Sequence, residues 1–327
     1  MITTYLFRKG QSLQSQVTRA EMLSAIKDRD SLLWVDLEDP TDFESEFLVE
    51  IFNFHPLAIE DCINDHSEPK MDDYDEHLFL VVHGLTMVRD EEKELDELKT
   101  IELNIFFGKN YLVTFHKTPI KTMAQVRSGL ERRPERLMGH GSDLLLHAIL
   151  DRLVDNYQPV LDQYDAKIDQ LEECLFNMPA HDYLATVMQA KRDVFNLRRI
   201  IAPQRDLISN LTRIHTDFIS QEHMMYFRDV YDHLFRIYGL AESFHESLAS
   251  ILQVYFSYSS NKLNEVVKHM TVMATLTMPS VIIASMYGMN FDNMPELHWK
   301  YGYPFSIALS LGISGALLVW MKLKKWI

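Results

Sequence analysis

Two long stretches without a charged side chain decide what this chain can fold into. The 23 residues HMTVMATLTMPSVIIASMYGMNF, 269–291, hold no Asp, Glu, Lys or Arg, and neither do the 21 residues YGYPFSIALSLGISGALLVWM, 301–321. A hydrocarbon core about 30 Å thick needs roughly 20 helical residues, so each run is long enough to cross it. Two such runs, parted only by residues 292–300, predict a transmembrane hairpin rather than a pair of buried soluble helices. Lys322, Lys324 and Lys325 follow the second run, and Trp320 and Trp326 flank that boundary. Basic residues stay on the cytoplasmic side and Trp favours the interface. Both termini are therefore expected inside, with FDNMPELHWK outside.

The two runs differ in character. The second places small residues at four-residue intervals: Ser306, Ser310 and Ser314, and Ala308, Gly312 and Ala316. Such faces allow close helix packing. The first carries Thr271, Thr275, Thr277, Ser280, Ser285 and Asn290, with Pro279 among them. Polar side chains at membrane depth usually face protein or water. Asn264, Val267, Thr271, Ala274, Met278, Val281 and Ser285 recur at spacings of three and four, which puts them on one helix face. That face is small or mildly polar, as a pore lining would be. One helix cannot enclose a pore, so a pore requires an oligomer.

The rest of the chain is acidic. Of 47 acids and 32 bases, residues 263–327 take three acids and five lysines, leaving 44 and 27 in residues 1–262, a net of −17. Such a surface repels nucleic acid and attracts cations. Cys62 and Cys174 stand alone, with no CxxC, which suggests a reducing compartment. The opening MITTYLFRKGQSLQSQ lacks the apolar core of a signal peptide, so the N-terminal domain is expected in the cytoplasm.

Residues 1–118 read as mixed α/β. TTYLFR, SLLWVDL, HLFLVVHGLTMV, TIELNIFF and NYLVTFH are β-rich, and Gly108-Lys109-Asn110 marks a hairpin turn. A helical segment is expected from Pro40 through Phe52, and HPLAIEDCIN reads as a short helix. Beyond Thr122 the strand signals stop. Helical periodicity runs from Leu144 to Leu175 and, after Pro179, from Tyr183 to Leu211. A third helix starts near Glu222 and meets no proline before Pro279, which predicts a single rod running into the membrane.

The motifs resemble those of the CorA-type magnesium channels. Tyr287-Gly288-Met289-Asn290-Phe291, Met294-Pro295-Glu296-Leu297, Tyr303-Pro304 and the Lys-rich end carry the resemblance. So do His55 through Asp61, Pro69-Lys70, Phe227 through His233, and Ser259 through Val266, so it spans nearly the whole chain. It implies a funnel-shaped homopentamer: α/β cytoplasmic domains, a long-helix stalk and a two-span transmembrane hairpin in the inner or plasma membrane. The expected layout is an α/β domain over 1–118, a helical stalk over 119–265, a pore-lining membrane helix over 266–291, an outer loop over 292–303, and a second membrane helix with a basic tail over 304–327.

The resemblance also assigns roles. Gly288, Met289 and Asn290 would form the selectivity filter. Mg²⁺ prefers octahedral oxygen and loses water reluctantly, so a ring of Asn290 carbonyls would hold the hydrated ion without trapping it as carboxylates would. Asp292 and Glu296 would concentrate cations at the outer mouth. Asn264, Val267, Met270, Met278, Val281 and Ser285 fall on the family's pore positions, with Met270 and Met278 as apolar rings that gate by dewetting. Glu60, Asp61, Asp151 and Asp229 match its regulatory divalent-ion positions, where bound Mg²⁺ would hold a subunit interface closed. The implied function is Mg²⁺ uptake, with Co²⁺ and Ni²⁺ as further candidates, gated by cytoplasmic Mg²⁺. The alternative is a proton-coupled transporter of zinc or another divalent ion, but neither span carries a carboxylate or paired His/Cys ligands. GxSxG, HExxH, Walker A and GxGxxG are all absent, so no enzyme is expected.

Overall fold

The computed structural model describes residues 1–327 except 42–49, 65–67, 91–94, 177–179, 215–217, 291–293, 325 and 327. The chain divides into two units, Met1–Ile251 and Leu252–Ile327.

The first unit is organised by a seven-stranded mixed sheet: β1 (Ile2–Arg8), β2 (Gln14–Ser15), β3 (Ser31–Glu38), β4 (Lys70–Asp73), β5 (Leu78–Asp90), β6 (Leu95–Phe107) and β7 (Tyr111–His116). Their order is β2-β1-β3-β7-β6-β5-β4, and only β3 and β7 run parallel, with Leu33 opposite Tyr111. Alternating side chains point to opposite faces of a sheet, and here both faces are covered. Leu33, Val35, Leu37, Phe79 and Val81 bury one face against Met22 and Ala25 of α1 (Arg19–Lys27) and Ala58, Ile59 and Cys62 of α2 (Pro56–Ile63). The other face meets α3 (Lys121–Arg132) and α5 (Ser142–Asp155), with the short α4 (Pro134–Met138) between them in sequence. Gly84 marks that side: a Cβ there would touch Leu153 and Ile120 at 3.7 and 3.8 Å.

Two buried polar networks brace this frame, the first between β3 and β7. Thr114 accepts from Trp34 Nε1 at 3.1 Å and donates to Asp36 at 2.6 Å, while His116 Nε2 lies 3.3 Å from the same carboxylate. Burial works against a charged His116, but the hydrogen bond and charge of Asp36 prevail and raise its pKa. The second network closes a sheet edge. β4 covers β5 only from Leu78 to Val81. Beyond it the backbone N–H of His83 donates to Gln204 Oε1 at 2.9 Å, and Tyr157 Oη donates to the His83 carbonyl. Gln204 Nε2 donates to Tyr157 Oη at 2.9 Å, so no group of this exchange is left open.

The expected helix over Leu144–Leu175 is two: α5 ends at Asp155 and α6 (Gln158–Cys174) restarts with Pro159 in its first turn. Proline has no N–H to continue a helix and fits its first turn, which accounts for the division. The expected helical segment from Pro40 falls mostly outside the described residues, with only 50–52 seen as helix, and Pro179 lies outside them too. Next come α7 (Ala180–Leu211) and α8 (Met224–Tyr287). α8 is one helix of 64 residues, about 95 Å long at 1.5 Å per residue. It lies against α7 through an Arg198–Glu242 ion pair of 2.6 Å and the Arg205 guanidinium 4.8 Å from the Tyr238 ring.

Along α8 the environment changes abruptly. Phe227, Val230, Leu234, Ile237, Ala241, Phe244, Leu248 and Ile251 form a buried stripe at helical spacing. The stripe ends with Leu252, and none of the most apolar 18-residue window further on is buried. The second unit is completed by a 3₁₀ turn, Pro295–His298, and α9 (Gly302–Leu323), which is likewise long and apolar enough to cross a membrane. Within this unit Ser314 Oγ on α9 donates to the Leu276 carbonyl on α8 at 2.8 Å.

Candidate ion pathway and metal-ligand group

At 100° per residue, Asn264, Val267, Met270, Met278, Val281 and Ser285 fall within an arc of about 120° on α8, and all six are exposed. The threonines of this helix make no demand for a pore. Thr271, Thr275 and Thr277 donate to the carbonyls of Val267, Thr271 and Met273 at 2.8–3.0 Å, so their hydroxyls are satisfied inside their own helix. α8 ends at Tyr287, and Gly288 N–H still bonds the Ala284 carbonyl at 3.0 Å. A Cβ on Gly288 would stand 3.2 Å from that carbonyl oxygen, a close approach that favours glycine at the helix end. Met289 and Asn290 follow, both exposed, and the Asn290 side chain makes no hydrogen bond to any described residue. It is therefore not spent on capping α8. Asp292 lies outside the described residues, as does the side chain of Glu296, whose backbone sits in the 3₁₀ turn.

The four acids that the resemblance assigns to regulation divide into two pairs. Glu60 and Asp61 lie near the end of α2, where Asp61 accepts from Lys70 Nζ at 2.7 Å. Asp151 and Asp229 come together where α5 meets the start of α8. Asp143 pins that junction: its Oδ2 accepts from the Ser220 N–H at 3.0 Å and lies 2.7 Å from His223 Nδ1. One turn along α5, the His147 ring lies 5.2 Å from Tyr226 and 5.9 Å from Phe227. A further turn along, Asp151 meets Asp229 and His233, and ligand atoms of the three all lie within 4.8 Å of one another. Among the described residues these are the only three acids, cysteines or histidines so grouped, and Glu60 and Asp61 are not part of the group. Burial raises the pKa of Asp151, and the charge of Asp155 adds to it. The same burial lowers that of His147.

Two carboxylates and an imidazole are a donor set that could hold a divalent cation. The oxygens suit Mg²⁺, and the imidazole adds affinity for Co²⁺ and Ni²⁺. His233 is the member that sequence reasoning missed; its signal was the DxxxH spacing from Asp229, one helical turn.

An α/β domain whose last long helix runs unbroken into an apolar segment and is followed by a second apolar helix, with a candidate metal-ligand group in the domain, points to a two-span membrane protein that handles divalent metal. The chain belongs to the CorA-like Mg²⁺ transporter family, whose profile matches residues 29–325. It is 34% identical over 320 residues to the cobalt/magnesium transport protein CorA of Thermotoga maritima, covering 95% of this chain and 88% of the relative. It is also 34% identical over 293 residues to YfjQ of Bacillus subtilis, a candidate metal ion transporter, covering 90% and 89%. Its fold matches the complete structure of the CorA magnesium transporter from Methanocaldococcus jannaschii with a TM-score of 0.81 at 18% identity, over 99% of this chain and 98% of the other.

Proposed function

We propose that this protein is a channel for Mg²⁺, with Co²⁺ and Ni²⁺ as further candidate ions, and that it works as a homopentamer in the inner or plasma membrane with both termini in the cytoplasm. Five copies of α8 surround the pore, and Asn264, Val267, Met270, Met278, Val281 and Ser285 line it. The observation that carries this reading is the Asn290 side chain, exposed and uncommitted just past the end of α8. Five such carbonyls bind a hydrated cation weakly enough to release it, and conduction needs that weakness. Lipid covers the outward faces of α8 and α9, whose apolar lengths suit a bilayer.

Cytoplasmic Mg²⁺ closes the channel in this reading. Asp151, Asp229 and His233 hold the ion on one subunit, and Glu60 or Asp61 of the next completes its oxygen shell. A bound ion would then favour the closed interface by its binding free energy. The experiment for the pathway is Mg²⁺ uptake by Asn290→Ala. The variant is expected to assemble normally and to conduct no Mg²⁺. Ordinary uptake by a correctly assembled variant would remove Asn290 from the filter.

A further inference from the structure

On the cytoplasmic unit, an open cleft of about 640 Å³ lies between α3, α4, α5 and the start of α8. Arg132, Arg133, Arg136 and Arg152 line it, and all four are exposed. None of their guanidinium groups forms an ion pair or hydrogen bond with a described residue. A shallower depression continues over Arg132, Arg133 and Arg136, bordered by Glu135. Arg132 also sits in the last turn of α3, where a cation suits the helix dipole, which accounts for one of the four but not for their convergence.

Four unpaired arginines around one cleft are out of character for a region of net charge −17. They create a local positive field that draws in an anion. The planar fork of each guanidinium matches two phosphate oxygens, and several forks around one concavity match a ligand with more than one phosphate. The cleft volume is that of an ordinary small-molecule site. Asp151 also lines it and would repel a bare anion. A divalent cation on Asp151 reverses that repulsion, because Mg²⁺ is commonly held by one or two carboxylates together with ligand phosphates.

We propose that this cleft binds a di- or triphosphate group as its Mg²⁺ complex, the arginines holding phosphate oxygens and Asp151 sharing the cation. The shared cation rests on the reading of Asp151, Asp229 and His233 as a metal group; the arginine site stands without it. The cleft would then report cellular Mg²⁺ in its chelated form as well as the free ion.

The test is calorimetric titration of the purified full-length protein in detergent with inorganic triphosphate, in EDTA and in Mg²⁺. The double variant Arg132→Gln/Arg136→Gln and the single variant Arg152→Gln are each expected to bind at least tenfold more weakly, with assembly and melting unchanged. Affinity unaltered in both overturns the proposal. Mg²⁺ is expected to tighten triphosphate binding to the wild type and not to Asp151→Asn. Arginine-dependent binding that Mg²⁺ does not tighten would overturn the shared cation and leave the anion site. Titration with ADP and ATP separates the sources. Equal affinity with inorganic triphosphate assigns the site to the phosphate chain, and tighter nucleotide binding that Tyr226→Ala removes assigns it to a nucleotide stacked on that exposed ring.

Discussion

Neutralising Asp229 tests the metal group through two effects of opposite sign. Asp151 and Asp229 belong to a group whose ligand atoms lie within 4.8 Å of one another. Two unit charges at that separation repel by about 1 kcal/mol at the dielectric of water and about 3.5 kcal/mol at an effective dielectric of 20. The Asp229 side chain is 64% exposed, so solvent and salt screen the pair and the lower figure, about 1 kcal/mol, applies. In EDTA, Asp229→Asn is therefore expected to be more stable than the wild type by about 1 kcal/mol. A cation that binds only the folded protein adds about 1.4 kcal/mol at tenfold excess over its dissociation constant, and the variant should lose most of that. At roughly 2–4 °C per kcal/mol for a domain of this size, the variant melts about 2–4 °C higher in EDTA. Its gain on adding Mg²⁺ falls from about 3–6 °C in the wild type to under about 2 °C. Scanning fluorimetry of the full-length protein in detergent reads both numbers. Equal melting in EDTA together with an equal Mg²⁺ gain would show that Asp229 holds no ion and feels no neighbouring charge.

Tyr157→Phe removes the donor to the His83 carbonyl and the acceptor for Gln204 Nε2, both buried. It should cost about 1–3 kcal/mol, and an unchanged melting temperature would show that the sheet edge needs no such closure. Asp36→Asn tests the buried pair with His116. The raised His116 pKa contributes stability that is present below its unfolded value, about 6.5, and lost as pH rises through the folded value. The variant's stability deficit should therefore be larger at pH 5.5 than at pH 9, whereas a deficit independent of pH would mean that His116 does not titrate against Asp36.

The legible part of this fold lay where the residues decide structure by themselves. The strands β1, β3, β5, β6 and β7 are rich in apolar, aromatic or β-branched residues, and each appeared within a residue or two of where the pattern placed it, except that β6 begins at Leu95, five residues before the expected Thr100. β2 and β4 did not, because Gln14-Ser15 and Lys70-Met71-Asp72-Asp73 have little β character of their own. They are strands by virtue of pairing with β1 and β5. α1 was overlooked although its start is written in the sequence: Thr18 and Glu21 form a reciprocal capping box. The parallel pairing of β3 with β7 joins segments some 78 residues apart, and no local pattern encodes it. The same separation divides Asp151 from Asp229. Only the family resemblance put them together in sequence, and only the packing of α5 on α8 through Asp143 and His223 puts them together in space. The arginine cleft was half written: Arg132, Arg133 and Arg136 stand within five residues of one another, but only the packing of α5 brings Arg152 to the same concavity.

Ion flux through the purified protein in liposomes tests the channel most directly, with a Mg²⁺-sensitive dye inside and a proton gradient present or collapsed. A channel predicts Mg²⁺ entry that follows the Mg²⁺ gradient and does not change when the proton gradient is collapsed. Entry that requires the proton gradient, or no entry from a correctly inserted protein, would contradict it.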